Sequence, residues 1–452
     1  MQSSVIKSFS INGLFGTKNV HIPFEENVKI LIGENGLGKT QTLNLLYYTL
    51  TQNFYRLNQF RFDSIELVLS DTVVLIEKDK LNESIAEMYK HPIVQQVISS
   101  LGITEFERFL NKYDENEKKR EELEYFMNKE YRRSGLSSHT IFRAIERVRE
   151  IEKEEKGEYL DAIKKQIKGN LDSSTLMYFP IWRRIEDASQ NIGYSEVRNE
   201  ETDDTKIQFG MQDVQNRFKS IENQIKRLMI DGIIDLSSEI LNQVFEDDDD
   251  AANDTFFNDF SEKDIEILFA RVGTNIADNK KQAIIDLLFS KRINTKDNTL
   301  KFMLKKLIDI YGKQKDIDNA IIKFRDICNT YLIEKVVIYD QKNIKIQIKS
   351  TINDEIILLS NLSSGERQII SIFARIHLFL KKANLTILID EPELNLSIFW
   401  QKTFLPDILQ SGNVRFLLAT THSPFIFEDK SVQFNTVALS AYIEPSKPLV
   451  LQ

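Results

Sequence analysis

Apolar and polar residues alternate at both ends of the chain with the period of a β-strand. Near the N-terminus this pattern predicts strands at residues 6–11, 28–32, 64–69 and 73–77. Towards the C-terminus it predicts strands at 336–339, 344–349 and 355–359. Continuous apolar runs at 386–389 and 416–419 are typical of strands buried on both faces of a parallel sheet.

The middle of the chain has the spacing of helices. Residues 105–133 and 140–168 are highly charged, with apolar residues every three or four positions and a break between the two stretches. We predict an antiparallel helical hairpin with arms about 40 Å long, at about 1.5 Å per residue. The arms could be solvated helices packed on the core or a projection that contacts a partner.

A strand is predicted to return at 176–185, and the polar residues 187–206 predict a loop. Further helices are predicted at 211–244 and 262–333, and the acidic run at 246–250 indicates a solvated loop. The predicted division is an N-terminal part at 1–100, a helical insertion at 101–335 and a C-terminal part at 336–452. The predicted fold class is α/β, with helices flanking a mixed sheet and a large helical insertion.

The composition excludes few functions, but it bears on the number of structural units, on nucleic-acid binding and on the cellular location. The chain has 452 residues, which favours more than one structural unit, and a net charge of −9, which weighs mildly against nucleic acid and leaves DNA binding open. Cys328 is the only cysteine, so an intrachain disulfide is excluded and a reducing cytoplasm is favoured. No signal peptide or apolar membrane span is predicted.

A glycine-rich phosphate-binding motif follows the predicted strand at 28–32. Residues 33–40 fit the pattern G-x-x-x-x-G-K-[ST] and open a predicted helix, which is the context that this motif requires. We expect Lys39 to reach the β- and γ-phosphates of ATP and Thr40 to bind Mg²⁺. The remaining residues predicted to bind the nucleotide are Asn35, Gly36, Gly38 and Gln41.

Two buried strands near the C-terminus end in residues suited to hydrolysis. Asp390 and Glu391 end the apolar run at 386–389, where Asp390 would hold Mg²⁺ through water and Glu391 would activate the attacking water. His422 follows the run at 416–419 and is predicted to sense the γ-phosphate. Gln59 is a further candidate for the metal.

A second predicted phosphate-facing element begins a helix at residues 362–366, where Ser363, Gly365 and Glu366 are the candidate residues. One nucleotide needs only one phosphate loop. We therefore expect two chains to face each other, each completing the other's ATP site.

Together these motifs resemble the ABC-type ATPases of the SMC, Rad50, RecF and OLD superfamily. The matching segments are the Walker A loop at 33–40, the signature at 362–366, the Walker B end at Asp390 and Glu391, the D-loop at 393–397 and the switch residue His422. One departure is Ser364, which stands where the commonest signature has glycine. The resemblance implies ATP and Mg²⁺ as cofactors.

Shorter segments are similar to the ATPase subunits of PARIS anti-phage systems, the AriA family, and several are shared with Septu and retron-associated ATPases. They are residues 6–9, 13–16, 178–186, 209–214 and 391–401. The resemblance implies a homo-oligomer, from a dimer to a hexamer, that restrains a separate TOPRIM-type nuclease (AriB-like) until a phage-encoded trigger protein is sensed.

Other functions remain open from the sequence. A DNA-repair ATPase like RecF or Rad50 predicts DNA-stimulated hydrolysis, and a Septu-type ATPase predicts an HNH nuclease as partner. A transporter subunit and a clamp that binds ATP without hydrolysis are further alternatives.

Overall fold

The computed structural model describes residues 5–70, 72–103, 106, 109–110, 137–153, 158–171, 174–180, 211–243, 261–272, 298–379, 384–412 and 414–446. The chain divides into two compact units. The first comprises Met1–Ile207 and Lys382–Gln452, and the second comprises Gln208–Lys381.

The strands, in chain order, are β1 (Ile6–Leu14), β2 (Lys18–Pro23), β3 (Val28–Ile32), β4 (Ser64–Leu69), β5 (Val73–Glu77), β6 (Ser174–Phe179), β7 (Lys335–Asp340), β8 (Lys345–Ser350), β9 (Ile356–Ile357), β10 (Asn384–Asp390), β11 (Val414–Thr421), β12 (Thr436–Ala438) and β13 (Ile443–Pro445). The helices are α1 (Lys39–Leu50), α2 (Phe54–Asn58), α3 (Lys78–Tyr89), α4 (Pro92–Leu101), α5 (Ser138–Lys153), α6 (Glu158–Leu171), α7 (Met211–Gln243), α8 (Glu262–Val272), α9 (Asn298–Tyr331), α10 (Ser364–Ala374), α11 (Ile398–Gln410) and α12 (Lys430–Gln433).

Two sheets build the first unit. One is antiparallel, in the order β13-β2-β1-β4-β5. The other is parallel, in the order β12-β3-β11-β10-β6. The apolar side chains of β10 and β11 are buried, which explains their continuous apolar runs.

The parallel sheet determines where the predicted chemistry lies. Asp390 at the end of β10 is in register with Thr420, and Thr421 at the end of β11 is in register with Ile32 at the end of β3. The carboxyl ends of these three strands therefore share one edge, where ligands bind in open α/β sheets. The strand predicted at 176–185 is β6, Ser174–Phe179, and residues 181–185 lie outside the described part of the chain.

The stretch predicted as the second hairpin arm, residues 140–168, contains two helices, α5 and α6, instead of one. Their apolar side chains, including Ile145, Val148 and Ile163, are buried in the same core as the antiparallel sheet. These helices belong to the first unit. Most of the first arm, 105–133, lies outside the described residues, as do the predicted loop at 187–206 and the acidic run at 246–250.

The second unit contains α7 to α10 and a small antiparallel sheet, β7-β8-β9. Helices α7 and α9 contact each other, and α9 also contacts β7. The three strands match the sequence predictions, although β9 is only two residues long. Within the described residues, no helix is both long enough and apolar enough to span a membrane.

Candidate functional site

The loop between β3 and α1 has the backbone of a phosphate-binding loop. Gly36 and Gly38 have φ angles of +83° and +100°, a region that favours glycine. Gly38 precedes α1 and makes no side-chain cap, so the first N–H groups of the helix keep their capacity to bind an anion. A Cβ atom on Gly38 would lie 3.3 Å from the side chains of both Leu14 and Phe15, which leaves little room for any larger residue.

Lys39, the first residue of α1, is only 5% exposed and folds back over this loop. Its Nζ donates hydrogen bonds to the carbonyl oxygens of Gly33 at 2.6 Å and Glu34 at 3.1 Å. It also lies 2.6 Å from Nε2 of His422.

Burial lowers the pKa of Lys39, and the neighbouring carboxylates of Glu391, Asp390 and Glu393 oppose that effect. The lysine is therefore a desolvated cation close to several anions. A phosphate group that replaced its carbonyl partners would supply the full negative charge that the loop itself lacks.

The two carboxylates that end β10 have different surroundings. Asp390 is 2% exposed, and its Oδ1 accepts a 2.5 Å hydrogen bond from Thr420 Oγ1 on the neighbouring strand. Among the residues that the structure describes, its Oδ2 is buried without a hydrogen-bond partner. An unpaired buried carboxylate oxygen is costly, so this atom fits a ligand such as the hydration shell of a cation.

Glu391 leaves the strand in a left-handed conformation, with φ of +49°. Its Oε1 lies 3.4 Å from Nε2 of His422. Burial raises the pKa of Glu391 and the charge of Asp390 raises it further, while His422 and Lys39 lower it. A raised pKa brings a carboxylate closer to the value that suits a general base near neutral pH.

The structure thus brings Lys39, Asp390, Glu391 and His422 to one place, from three separate parts of the sequence. Thr40 and Gln41 lie in the first turn of α1, and the side-chain oxygen of Gln41 is also buried without a hydrogen-bond partner in the described part of the chain.

Two further predicted residues lie on exposed segments. Asn35 is exposed in the loop. Gln59 is exposed at the end of α2, where its side-chain oxygen accepts a hydrogen bond from Arg56. The predicted role of Gln59 in metal binding stays a prediction.

The signature residues lie in the second unit, at the start of α10. Ser363 is the N-cap, its Oγ accepts from the N–H of Glu366, and the carboxylate of Glu366 accepts from the N–H of Ser363. Lys335 donates to both oxygens of Glu366 at 2.7 and 2.8 Å. This reciprocal capping box fixes the first turn of the helix, and Gly365 is buried within it.

One residue that contacts the candidate site was not among the predicted site residues. Glu393 lies two positions beyond Glu391, and its Oε1 accepts from the backbone N–H groups of His422 at 2.7 Å and Ser423 at 3.2 Å. The sequence shows a third carboxylate after Asp390 and Glu391, but only the fold shows that it binds the backbone of another loop.

The site fits ATP and Mg²⁺ on the chemistry of its donors. The glycine loop and the start of α1 offer backbone N–H groups, and Lys39 offers a cation for phosphate oxygens. The unpaired Oδ2 of Asp390 and the hydroxyl of Thr40 are oxygen ligands of the kind that Mg²⁺ prefers.

This fold and this group of residues define a P-loop ATPase. The chain belongs to the AAA ATPase domain family, whose model matches residues 5–427. The predicted α/β fold class and the prediction of an ATPase are confirmed.

Solved structures with some similarity include two head domains of Smc proteins. One, from Pyrococcus furiosus, carries an extended coiled coil and is bound to the C-terminal domain of ScpA; it is 11% identical, with 96% of this chain and 93% of that chain covered and a TM-score of 0.36. The other, from Pyrococcus yayanosii, carries a coiled coil and joint; it is 12% identical, with 93% and 92% covered and a TM-score of 0.31. No curated protein matches the sequence.

Proposed function

We propose that the chain binds ATP at the loop of residues 33–40 and hydrolyses it with Glu391 as the general base. The observation that carries this proposal is the convergence of Lys39, His422 and Glu391. Nζ of Lys39 lies 2.6 Å from Nε2 of His422, and the same Nε2 lies 3.4 Å from Oε1 of Glu391. A phosphate-binding cation, a candidate base and a hydrogen-bonding ring therefore meet where the γ-phosphate would lie.

Each residue has a role that follows from its surroundings. When ATP binds, Nζ of Lys39 exchanges the carbonyl oxygens of Gly33 and Glu34 for phosphate oxygens. The same exchange breaks the contact between Nζ and Nε2 of His422. His422 then hydrogen-bonds the γ-phosphate. Glu391 orients a water molecule for in-line attack and accepts its proton, for which its raised pKa is suited.

Mg²⁺, held through Thr40 and the unpaired oxygen of Asp390, would neutralise charge on the β- and γ-phosphates. The predicted contribution of Gln59 to the metal belongs to the same proposal.

We further propose that the active form is a homo-oligomer in which Ser363, Gly365 and Glu366 of one chain face the nucleotide of another. An exposed apolar patch close to the catalytic loops supports a second copy as the partner. Phe399 is 82% exposed and Ile398 is 49% exposed at the start of α11, and Phe425 lies on the short turn that α11 contacts. Large exposed apolar groups of this kind mark interaction surfaces.

Steady-state hydrolysis tests the catalytic roles. Lys39→Ala should abolish nucleotide binding, whereas Glu391→Gln should keep ATP bound and reduce kcat by about a hundredfold or more. His422→Ala should reduce kcat with a smaller effect on ATP affinity. Glu26→Gln, an exposed carboxylate in the turn before β3, is the matched control and should behave like the wild type. Equal hydrolysis by all four variants would remove the assigned roles.

Mixed oligomers test the shared site. Lys39→Ala and Ser363→Arg chains should each be inactive alone, but a mixture should recover part of the activity, because some sites then combine an intact loop with an intact signature. A mixture that stays inactive, although it still assembles, would contradict a site built from two chains.

The biological role that we propose is that of a sensor and scaffold in anti-phage defence, restraining a separate TOPRIM-type nuclease until a phage protein is sensed. Its support is the resemblance of five sequence segments to the ATPase subunits of PARIS systems, among them residues 391–401. Co-expression with a TOPRIM-type nuclease should give a stable complex and protect cells from phage, and Lys39→Ala should remove both effects.

The alternatives predict different results in the same assays. DNA-stimulated, salt-sensitive hydrolysis without protection from phage would favour a repair ATPase like RecF or Rad50. Protection that requires a co-purifying HNH nuclease would favour a Septu-type ATPase.

A further inference from the structure

Two loops at the edge of the parallel sheet are joined by a single carboxylate. Glu393 lies in the loop after β10, and His422 and Ser423 lie directly after β11. Oε1 of Glu393 accepts hydrogen bonds from the backbone N–H of His422 at 2.7 Å and from that of Ser423 at 3.2 Å. Bonds from N–H groups to a carboxylate are about twice as strong as those between neutral groups.

A second side chain extends the same connection. Gln401, on the first turns of α11, donates to the carbonyl oxygen of Leu396 at 2.9 Å and accepts from Oγ of Ser423 at 2.6 Å. Ser423 Oγ also accepts from the N–H of Phe425, which lies in the following turn, Pro424–Phe427. The hydrogen bonds of the Glu393 and Gln401 side chains therefore hold the loop at 391–397 and the loop at 422–425 together.

The backbone of residue 422 determines where its imidazole ring lies. Nε2 of His422 is within 2.6 Å of Lys39 Nζ and within 3.4 Å of Glu391 Oε1, so a small displacement of the loop would change both contacts. A misplacement of about 1 Å in a catalytic group can cost about a hundredfold in rate.

We propose that Glu393 and Gln401 are positioning residues that hold the His422 loop in register with the loop after β10. Glu393 acts through the backbone of His422 and not by contact with the substrate. The inference rests on the proposed role of His422 in ATP hydrolysis and deepens it, because it makes the position of His422 depend on the loop at 391–397. A displacement of that loop would then reach His422 through the carboxylate and through Gln401.

Two direct roles for Glu393 compete with positioning, because its other oxygen, Oε2, is buried and has no hydrogen-bond partner within the described ranges. Glu393 could ligate the metal, or its charge could act on Lys39, to which it is close enough to influence the pKa. Both direct roles require the negative charge. Positioning requires only an acceptor oxygen at the place of Oε1, which an amide also provides.

The test therefore compares Glu393→Gln with Glu393→Ala. We expect Glu393→Ala to lower kcat by about ten- to a hundredfold, with KM for ATP and the affinity for a fluorescent ATP analogue changed less than about threefold. Glu393→Gln should stay within about threefold of the wild type. A Glu393→Gln variant as impaired as Glu393→Ala would overturn the inference, since the charge and not the acceptor would then matter.

A double-variant cycle measures kcat in the single and double variants. It distinguishes positioning of His422 from a merely structural role of Glu393. Because Glu393 acts through His422, Glu393→Ala should cause no further loss of kcat when His422→Ala is already present. If the falls in kcat caused by Glu393→Ala and His422→Ala multiply in the double variant, the positioning role is refuted. If Glu393→Ala fails to fold, Gln401→Leu carries the same test: a fall in kcat that disappears in the His422→Ala background supports the inference, and a wild-type kcat or a multiplying loss refutes it.

The outcome is distinguishable from failure of the proposed function. If Lys39→Ala, Glu391→Gln and His422→Ala all hydrolyse ATP like the wild type, the proposed function is wrong and the positioning of His422 falls with it. If those three lose activity while Glu393→Ala and Gln401→Leu do not, only the inference is wrong.

Discussion

Removing the imidazole of His377 should make the protein more resistant to acid. His377 lies in the turn that continues α10, and its ring stacks on that of Phe373. Burial, with a smaller contribution from the charge of Lys323, lowers the pKa of His377 from 6.5 to about 4. Between these two pH values the unfolded chain binds a proton that the native protein excludes, so stability rises with pH across this window and falls as the solution is acidified.

The size of this change in stability follows from the interval between the two pKa values of His377, 6.5 and about 4. One pKa unit corresponds to about 1.4 kcal/mol, so the native protein loses about 3 kcal/mol of unfolding free energy between pH 6.5 and pH 4 on account of this residue. His377→Leu removes the group that titrates. The difference in unfolding free energy between His377→Leu and the wild type should therefore shift by about 2–3 kcal/mol in favour of the variant as the pH falls from 7 to 4.

Urea unfolding followed by circular dichroism at a series of pH values measures this difference. Lys323→Met is the matched comparison, because it removes the like charge and leaves the half-buried histidine in place. Since burial is the larger cause, Lys323→Met should recover only a minor part of the gain. A difference between His377→Leu and the wild type that is the same at pH 4 and pH 7 would refute the reasoning.

Three further predictions concern other parts of the fold. Arg271→Met should destabilise the protein by about 3–5 kcal/mol in urea unfolding, because it leaves the buried carboxylate of Asp318, 2.9 Å away, without its cation; a loss below about 1 kcal/mol would show that the pair is dispensable. Gly38→Ala should weaken ATP binding at least tenfold in a fluorescence titration, because of the +100° φ angle and the lack of space for a Cβ; unchanged affinity would contradict this. Glu366→Ala should cost about 1–2 kcal/mol through loss of the capping box and of the bond to Lys335. Burial raises the pKa of Glu366, but the bonds from Lys335 and Ser363 hold it below its usual value. This stabilisation should therefore be present at neutral pH and decline as the pH falls below about 4.5, and a cost that is independent of pH would exclude the ion pair as its source.

The phosphate-binding loop could be predicted from the sequence because local geometry largely decides its conformation. A loop with glycines at positions 36 and 38, between a strand and a helix, has few other conformations that satisfy its backbone, and its N–H groups select an anion. The apolar runs that end at Asp390 and before His422 predicted buried strands for the same reason, since parallel strands covered on both faces need continuous apolar sequence.

The helices between these motifs could be predicted less accurately from the sequence. The pattern of residues 140–168 predicted one helical arm and left open whether it packs on the core or projects towards a partner, because charged residues outnumber apolar ones. The few apolar residues of α5 and α6 nevertheless lie on one side of each helix and are buried against the core of the first unit. Burial depends on which surface a helix meets, and composition does not contain that information.

The sequence by itself predicted the α/β fold class from the order of its strands and helices, and it predicted the phosphate-binding loop and the candidate hydrolytic residues from short motifs that each lie within one segment. Only the tertiary structure decided that Lys39, Glu391 and His422 converge, and that Glu393 binds the backbone of the loop that carries His422. These contacts join residues up to 383 positions apart in the chain. They exist because β3, β11 and β10 are neighbours in one parallel sheet, and the order of strands in a sheet is set by packing of the whole unit and not by any local pattern.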